Sequence, residues 1–179
     1  MSIKCPLCLN NSEHYTTFNK KEYNICQNCN SVFLIPDHFL NSIEEKNRYL
    51  KHNNDVFNKN YRNFVSPITT NIIKDFTKES KGLDFGAGTG PVITKILHEK
   101  NFNVSVYDPF FHNKPELLNT YYNYIICCEV IEHFYNPNKE FKLLYNLLKN
   151  KGKLYCMTEI FDKKIDFSKW SYKSDPTHV

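Results

Sequence analysis

Two groups of residues have the types and spacing that chemistry needs. Cys5-Pro6-Leu7-Cys8 and Cys26-Gln27-Asn28-Cys29 form two C-x-x-C knuckles with seventeen residues between them. A tight turn in each aims two thiolates at one point, and four thiolates supply the tetrahedron that zinc prefers. Burying four thiolates without a cation is costly, so metal and local fold are expected to form together. The competing readings are a redox dithiol or a pair of disulfides. Two paired knuckles exceed what one redox site needs, and disulfides fit poorly where no secretory signal is present. Cys5, Cys8, Cys26 and Cys29 are therefore the expected ligands of a structural Zn2+. Cys127, Cys128 and Cys156 fall in apolar runs and are expected in the core.

The second group is Leu83-Asp84-Phe85-Gly86-Ala87-Gly88-Thr89-Gly90-Pro91, three alternating glycines between a strand pattern and a helix pattern. Absent side chains allow a tight turn and a close approach of backbone to a ligand. A phosphate-binding Walker loop requires Gly-Lys-Ser/Thr, and no Lys or Arg stands here. A dinucleotide loop requires G-x-G-x-x-G, and its third glycine would fall on Pro91. Asp84, just before the loop, would repel a pyrophosphate but suits a ligand carrying an ammonium and a sulfonium. Eighteen residues beyond Gly90 comes Asp108. A carboxylate at that place can accept both ribose hydroxyls, although Asp108-Pro109 read alone is equally well a turn.

These residues need elements to hold them. Ser42-Ile43-Glu44-Glu45 has the form of a capping box. Tyr61, Phe64, Val65, Ile68, Ile72, Ile73 and Phe76 recur at helical spacing, with an interruption or kink at Pro67. Leu83-Phe85, Val104-Tyr107, Tyr124-Cys128 and Leu154-Met157 read as strands. Helices fill the spaces from Pro91 to about Glu99 and from Pro137 to about Lys149, with Gly152 just past the latter. The near-continuous apolar run Tyr124-Cys128 suits a strand buried on both faces. Such alternation implies a parallel sheet with helices on its faces. The chain of 179 residues is thus expected to divide into a zinc-ribbon-like segment (1–35), a helical lid or linker (36–80) and an α/β core (81–179).

The bulk composition excludes several classes. Lys plus Arg is 23 against 19 acids, a formal charge of +4, and the basic residues are too dispersed to read as a nucleic-acid stripe. No segment approaches the ~18 apolar residues of a membrane span. Met1-Ser2-Ile3-Lys4-Cys5-Pro6 lacks the apolar stretch of a signal peptide, so a cytoplasmic location without membrane partners is expected.

Taken together, the chain resembles the class I S-adenosylmethionine-dependent methyltransferases, and more closely a bacterial subgroup with an N-terminal zinc-binding segment. The residues that carry the resemblance are Gly82 to Pro91, Tyr107-Asp108-Pro109-Phe110-Phe111, Cys128-Glu129-Val130-Ile131-Glu132-His133-Phe134 and Asp175-Pro176-Thr177-His178-Val179. The resemblance implies a Rossmann-like α/β fold preceded by the zinc ribbon. It implies that Asp84, Gly86, Ala87, Gly88 and Gly90 line the methionine and ribose side of S-adenosylmethionine, and that Asp108 and Pro109 hold the ribose. Glu129 would stand beside the reacting methyl group, with Glu132 and His133 on the next turn.

His133 is the candidate general base, its competing reading being a packing histidine near the rim. Tyr49, His52 and Asn53 are candidates for a lid or acceptor contact, and Trp170, Asp175 and His178 either line the same mouth or form an ordinary loop. Two departures from the family pattern stand out. No strand is evident between Asp108 and Tyr124, and the family's final antiparallel pair of strands has no counterpart before Val179. The core is therefore expected to be C-terminally truncated, with an exposed sheet edge open to self-association. The expected partner is a small-molecule methyl acceptor. The alternatives are an RNA methyltransferase, against which the diffuse charge argues, and a non-catalytic cofactor-binding module.

Overall fold

The computed structural model describes residues 3–52, 54–162 and 164–179. The chain falls into two compact units, each assembled from separate stretches of sequence. The first comprises Met1–Glu45, Glu132–Lys142 and Glu159–Val179; the second comprises Lys46–Ile131 and Leu143–Thr158.

The first unit contains an antiparallel meander of β1 (Ser12–Phe18), β2 (Lys21–Cys26) and β3 (Val32–Leu34). Asn19 and Lys20 join β1 to β2 with φ of 48° and 64°, the left-handed pair that two-residue hairpins require. One side of the meander packs Cys5, Cys26 and Phe33 together. Another cluster gathers Tyr23, Leu34 and Phe167 with Phe161 and Trp170. Phe167 meets Tyr23 edge-on at 4.9 Å between ring centres, an arrangement that ring quadrupoles favour. Lys173 is buried, and its ammonium donates to the carbonyls of Ser168 and Trp170, each at 2.8 Å. It also lies 4.1 Å from the Phe18 ring centre. These contacts offset the loss of hydration that an ammonium suffers on burial.

The second unit is a sheet of four parallel strands, in the order β5-β4-β6-β7. They are β4 (Lys81–Phe85), β5 (Asn103–Tyr107), β6 (Tyr122–Cys128) and β7 (Leu148–Met157). Helix α1 (Ser42–Tyr49) ends in this unit, followed by α2 (Lys59–Phe64), α3 (Ser66–Asp75) and α4 (Val92–Glu99). Val92, Ile93, Ile96 and Leu97 of α4 and Ile68 and Ile72 of α3 form a core with Val104, Tyr124 and Ile126 of the sheet. This is the Rossmann-like α/β arrangement. Only a short 3-10 turn, Pro115–Asn119, stands between β5 and β6.

Several local details differ from expectation. The capping box is offset by one residue. The Asn41 side chain accepts from the backbone N–H of Ile43 and Glu44, each at 3.0 Å, and Glu44 accepts from Asn41 N–H. Asn caps a helix at least as well as Ser, so the first competent residue wins. The helical stretch breaks at Val65, with Pro67 in the first turn of α3, where its missing N–H costs nothing. Helix α5 (Pro137–Leu147) stops earlier than Lys149, and β7 begins at once. Its pairing with β6 jumps from Tyr122↔Leu148 to Tyr124↔Lys153, so Gly152 sits in that irregularity rather than capping the helix. Cys127 and Cys128 pack in the interior or partly so, but Cys156 is exposed, because β7 lies at the sheet's edge.

Candidate functional site

The glycine loop follows β4 at the end where parallel strands deliver their chemistry. Gly86 has φ of 76°, and a Cβ there would stand 2.6 Å from Val130 Cγ1. Gly90 meets the backbone of Asn54 instead, whose carbonyl oxygen would be 1.9 Å from a Cβ. The segment after α1 therefore rests directly on the loop, possible only because the loop has no side chain there. Asn53 lies outside the described residues.

Asp108 organises the loop from β5. Its Oδ2 accepts from Gly88 N–H at 2.9 Å, and its Oδ1 accepts from Phe110 and Phe111 N–H at 2.8 and 3.0 Å. A carboxylate oxygen has two lone-pair sites. Oδ1 is saturated, whereas Oδ2 keeps one site for a further donor. Tyr49 packs on Phe110 at 5.8 Å between ring centres and on His52 at 6.2 Å, which brings two of the expected lid residues to the Asp108 side.

Asp84 is buried and acts on α4. Pro91 supplies no side-chain cap to that helix. Asp84 replaces it, accepting from the Thr94 hydroxyl at 2.7 Å and from Thr94 N–H. A carboxylate near a helix N-terminus is favoured by the exposed N–H groups. Burial nevertheless pushes its pKa up to about 6, Thr94 pulls it down, and the charge of Asp108 adds to the rise.

Glu129 closes β6 with φ of 54°, a left-handed backbone that Glu seldom adopts. Its N–H donates to Met157 O at 2.7 Å, which holds the turn. Tyr61 of α2 completes this neighbourhood. Burial, with the Cys128, Glu129 and Asp84 groups nearby, lifts its phenol to about 12, so Tyr61 is a neutral donor at physiological pH. Asn54 and Tyr61 were not singled out from sequence as site residues. Asn54 acts through its backbone, which has no sequence signal, and Tyr61 reads as one more position in an apolar helical stripe.

The two knuckles are built alike. Leu9 N–H donates to Cys5 O and Cys5 N–H to Asn10 O; Asn30 N–H donates to Cys26 O and Cys26 N–H to Ser31 O. Leu9 and Asn30 both take φ near 60°, at 64° and 61°. The four sulfurs converge, with Cys5 Sγ and Cys29 Sγ 3.7 Å apart and Cys8 Sγ and Cys26 Sγ 3.4 Å apart. Tetrahedral thiolates around Zn2+ stand roughly 3.8 Å apart, so the donor set fits. Asn28 N–H and the Asn10 amide donate to Cys26 and Cys8 sulfur, which suits thiolates better than thiols.

His133 and His178 belong to the first unit, as do Trp170 and Asp175. His133 Nδ1 lies 3.1 Å from Thr177 O, and His178 Nδ1 lies 2.7 Å from Tyr172 O. Their rings meet at 4.7 Å. Burial lowers the His178 pKa, with the His133 ring adding to the effect. Trp170 donates to Glu159 at 2.5 Å, and Asp175 accepts from the Thr177 hydroxyl and N–H.

Among the described residues the second unit thus carries Asp84 near the end of β4, and Gly86, Ala87, Gly88, Gly90, Asp108, Pro109 and Glu129 on the loops that follow β4, β5 and β6. No helix is long and apolar enough to cross a membrane. No curated protein matches the chain. A family described as a methyltransferase domain matches residues 57–179, which covers α2 to the end of the chain and every one of those loops. On that match and this fold, the chain belongs to the methyltransferase domain family.

Proposed function

We propose that the chain is an S-adenosylmethionine-dependent methyltransferase acting on a small-molecule acceptor, with a structural zinc ion on Cys5, Cys8, Cys26 and Cys29. The observation that carries the reading is the Asp108 carboxylate. It fixes the glycine loop through Gly88 N–H and retains one acceptor site on Oδ2, the one a ribose hydroxyl needs. Gly86, Ala87, Gly88 and Gly90 offer bare backbone beside it, and Pro109 fixes the turn that aims it. The cofactor brings a methyl group already activated by its sulfonium, so positioning can supply much of the barrier reduction. Tyr61 and Glu129 border the methyl end of the site, where a neutral phenol and a carboxylate suit an ammonium and a sulfonium. Asp84 contributes by anchoring α4 and hence the loop's exit. A base is needed only where the acceptor must lose a proton.

The dispersal of the basic residues along the sequence supports a small acceptor over RNA. Calorimetry with S-adenosylmethionine on the full chain, its zinc content verified at about one ion, tests the assignment. We expect saturable binding, weakened about tenfold to a hundredfold in Asp108→Ala, since hydrogen bonds to charged groups contribute roughly 1.5–3 kcal/mol. A folded, zinc-loaded chain that binds no S-adenosylmethionine would contradict it.

A further inference from the structure

A second gathering of ligand-type side chains lies in the first unit, apart from the cysteine cluster. One ligand atom each from Glu132, His133 and His178 lies within 4.8 Å of the other two. Atoms about 2.0–2.2 Å from one ion stand roughly 3–4 Å apart, so the three groups are already gathered to nearly that spacing. We infer that Glu132, His133 and His178 bind a first-row divalent transition-metal ion through two imidazoles and one carboxylate.

The ring orientations argue for this. A carbonyl oxygen can only accept, so His133 Nδ1 donates to Thr177 O and His178 Nδ1 donates to Tyr172 O. Each neutral ring then keeps its lone pair on Nε2. Backbone carbonyls that fix the tautomer in this way are the usual support of metal-binding histidines. Glu132 is prepared in the same manner. Its Oε1 accepts from the Tyr172 hydroxyl, while its Oε2 is buried with no partner. A buried carboxylate oxygen without a donor is costly, and a cation removes that cost. Tyr172 supports both sides of the site, through its hydroxyl to Glu132 and its carbonyl to His178. Two imidazoles and one carboxylate suit a borderline first-row ion and leave coordination positions open to water or to an oxygen donor of a ligand. His133 then acts as a ligand and not as a free base. The site needs no S-adenosylmethionine to form.

Co2+ added to the zinc-loaded full chain tests the inference. We expect one further Co2+ to bind, with visible bands free of thiolate charge transfer. Its proton NMR spectrum should show two paramagnetically shifted exchangeable signals, from the two Nδ1–H groups bonded to carbonyls. Glu132→Gln and His178→Gln should each weaken uptake about tenfold or more while the zinc content stays unchanged. No uptake beyond the cysteine cluster would overturn the inference. So would uptake that neither variant changes, or a bound ion without shifted histidine signals.

Discussion

A carboxylate as buried as Asp84, 4% exposed, keeps its charge only where donors reach it. Thr94 supplies two, yet burial still lifts the pKa to about 6. The folded state therefore disfavours the ionised form relative to the unfolded chain. Stability from this residue is greatest below the ordinary carboxylate range and falls as pH rises through about 6, by about 1.4 kcal/mol per unit across the interval between the two titrations. In urea unfolding, the native chain should lose about 1 kcal/mol relative to Asp84→Asn between pH 5 and pH 7, with no further divergence above. Parallel profiles would mean that Asp84 keeps an ordinary pKa. At this scale the chemistry was legible where residue type carries it. The cysteines, the three glycines, Asp84 and Asp108 all declare themselves by identity and spacing. What Asp84 touches was not legible, because the need for a cap arises from Pro91 and is met across the strand–helix turn. His133 shows the same limit, since residue type alone suggests a base while nothing in the sequence marks its contact with the Thr177 carbonyl.

At the scale of elements, the glycine loop and the turn after β6 are fitted to each other. Gly86 takes a left-handed φ and leaves room for both methyl groups of Val130. Gly86→Ala adds backbone strain of about 1 kcal/mol and overpacking of about 1–3 kcal/mol. Because the nearest atoms to an added Cβ are those of Val130, Gly86→Ala should cost about 1–2 kcal/mol less in a Val130→Ala background. Additive losses in a double-mutant cycle would show that the contact is not the cause. Helix and strand positions were readable from apolar period, as α3, α4 and β6 show. Boundaries were less so. Asn41 pre-empts Ser42 as the cap, and β7 starts straight after α5 with its pairing to β6 irregular between Leu148 and Lys153. Nothing in local sequence distinguishes that irregular strand start from a helix end.

For the whole molecule, the parallel sheet follows from the alternation of strand and helix patterns, and the family match over residues 57–179 agrees with it. How stretches distant in sequence combine was beyond a linear reading. Phe167 and Trp170 join Tyr23 and Leu34, and Asn138 donates to the carbonyls of Pro6 and Leu7; both depend on contacts between segments more than a hundred residues apart. The sheet leaves β5 and β7 at its edges, and the chain carries a formal net charge of +4. The most direct measurement of the central claim is transfer of label from methyl-labelled S-adenosylmethionine into a fractionated cell extract by the zinc-loaded chain. We expect label in the small-molecule fraction, reduced about tenfold or more in Asp108→Ala at limiting cofactor. Label confined to RNA or protein, or no label in any fraction, would contradict that claim.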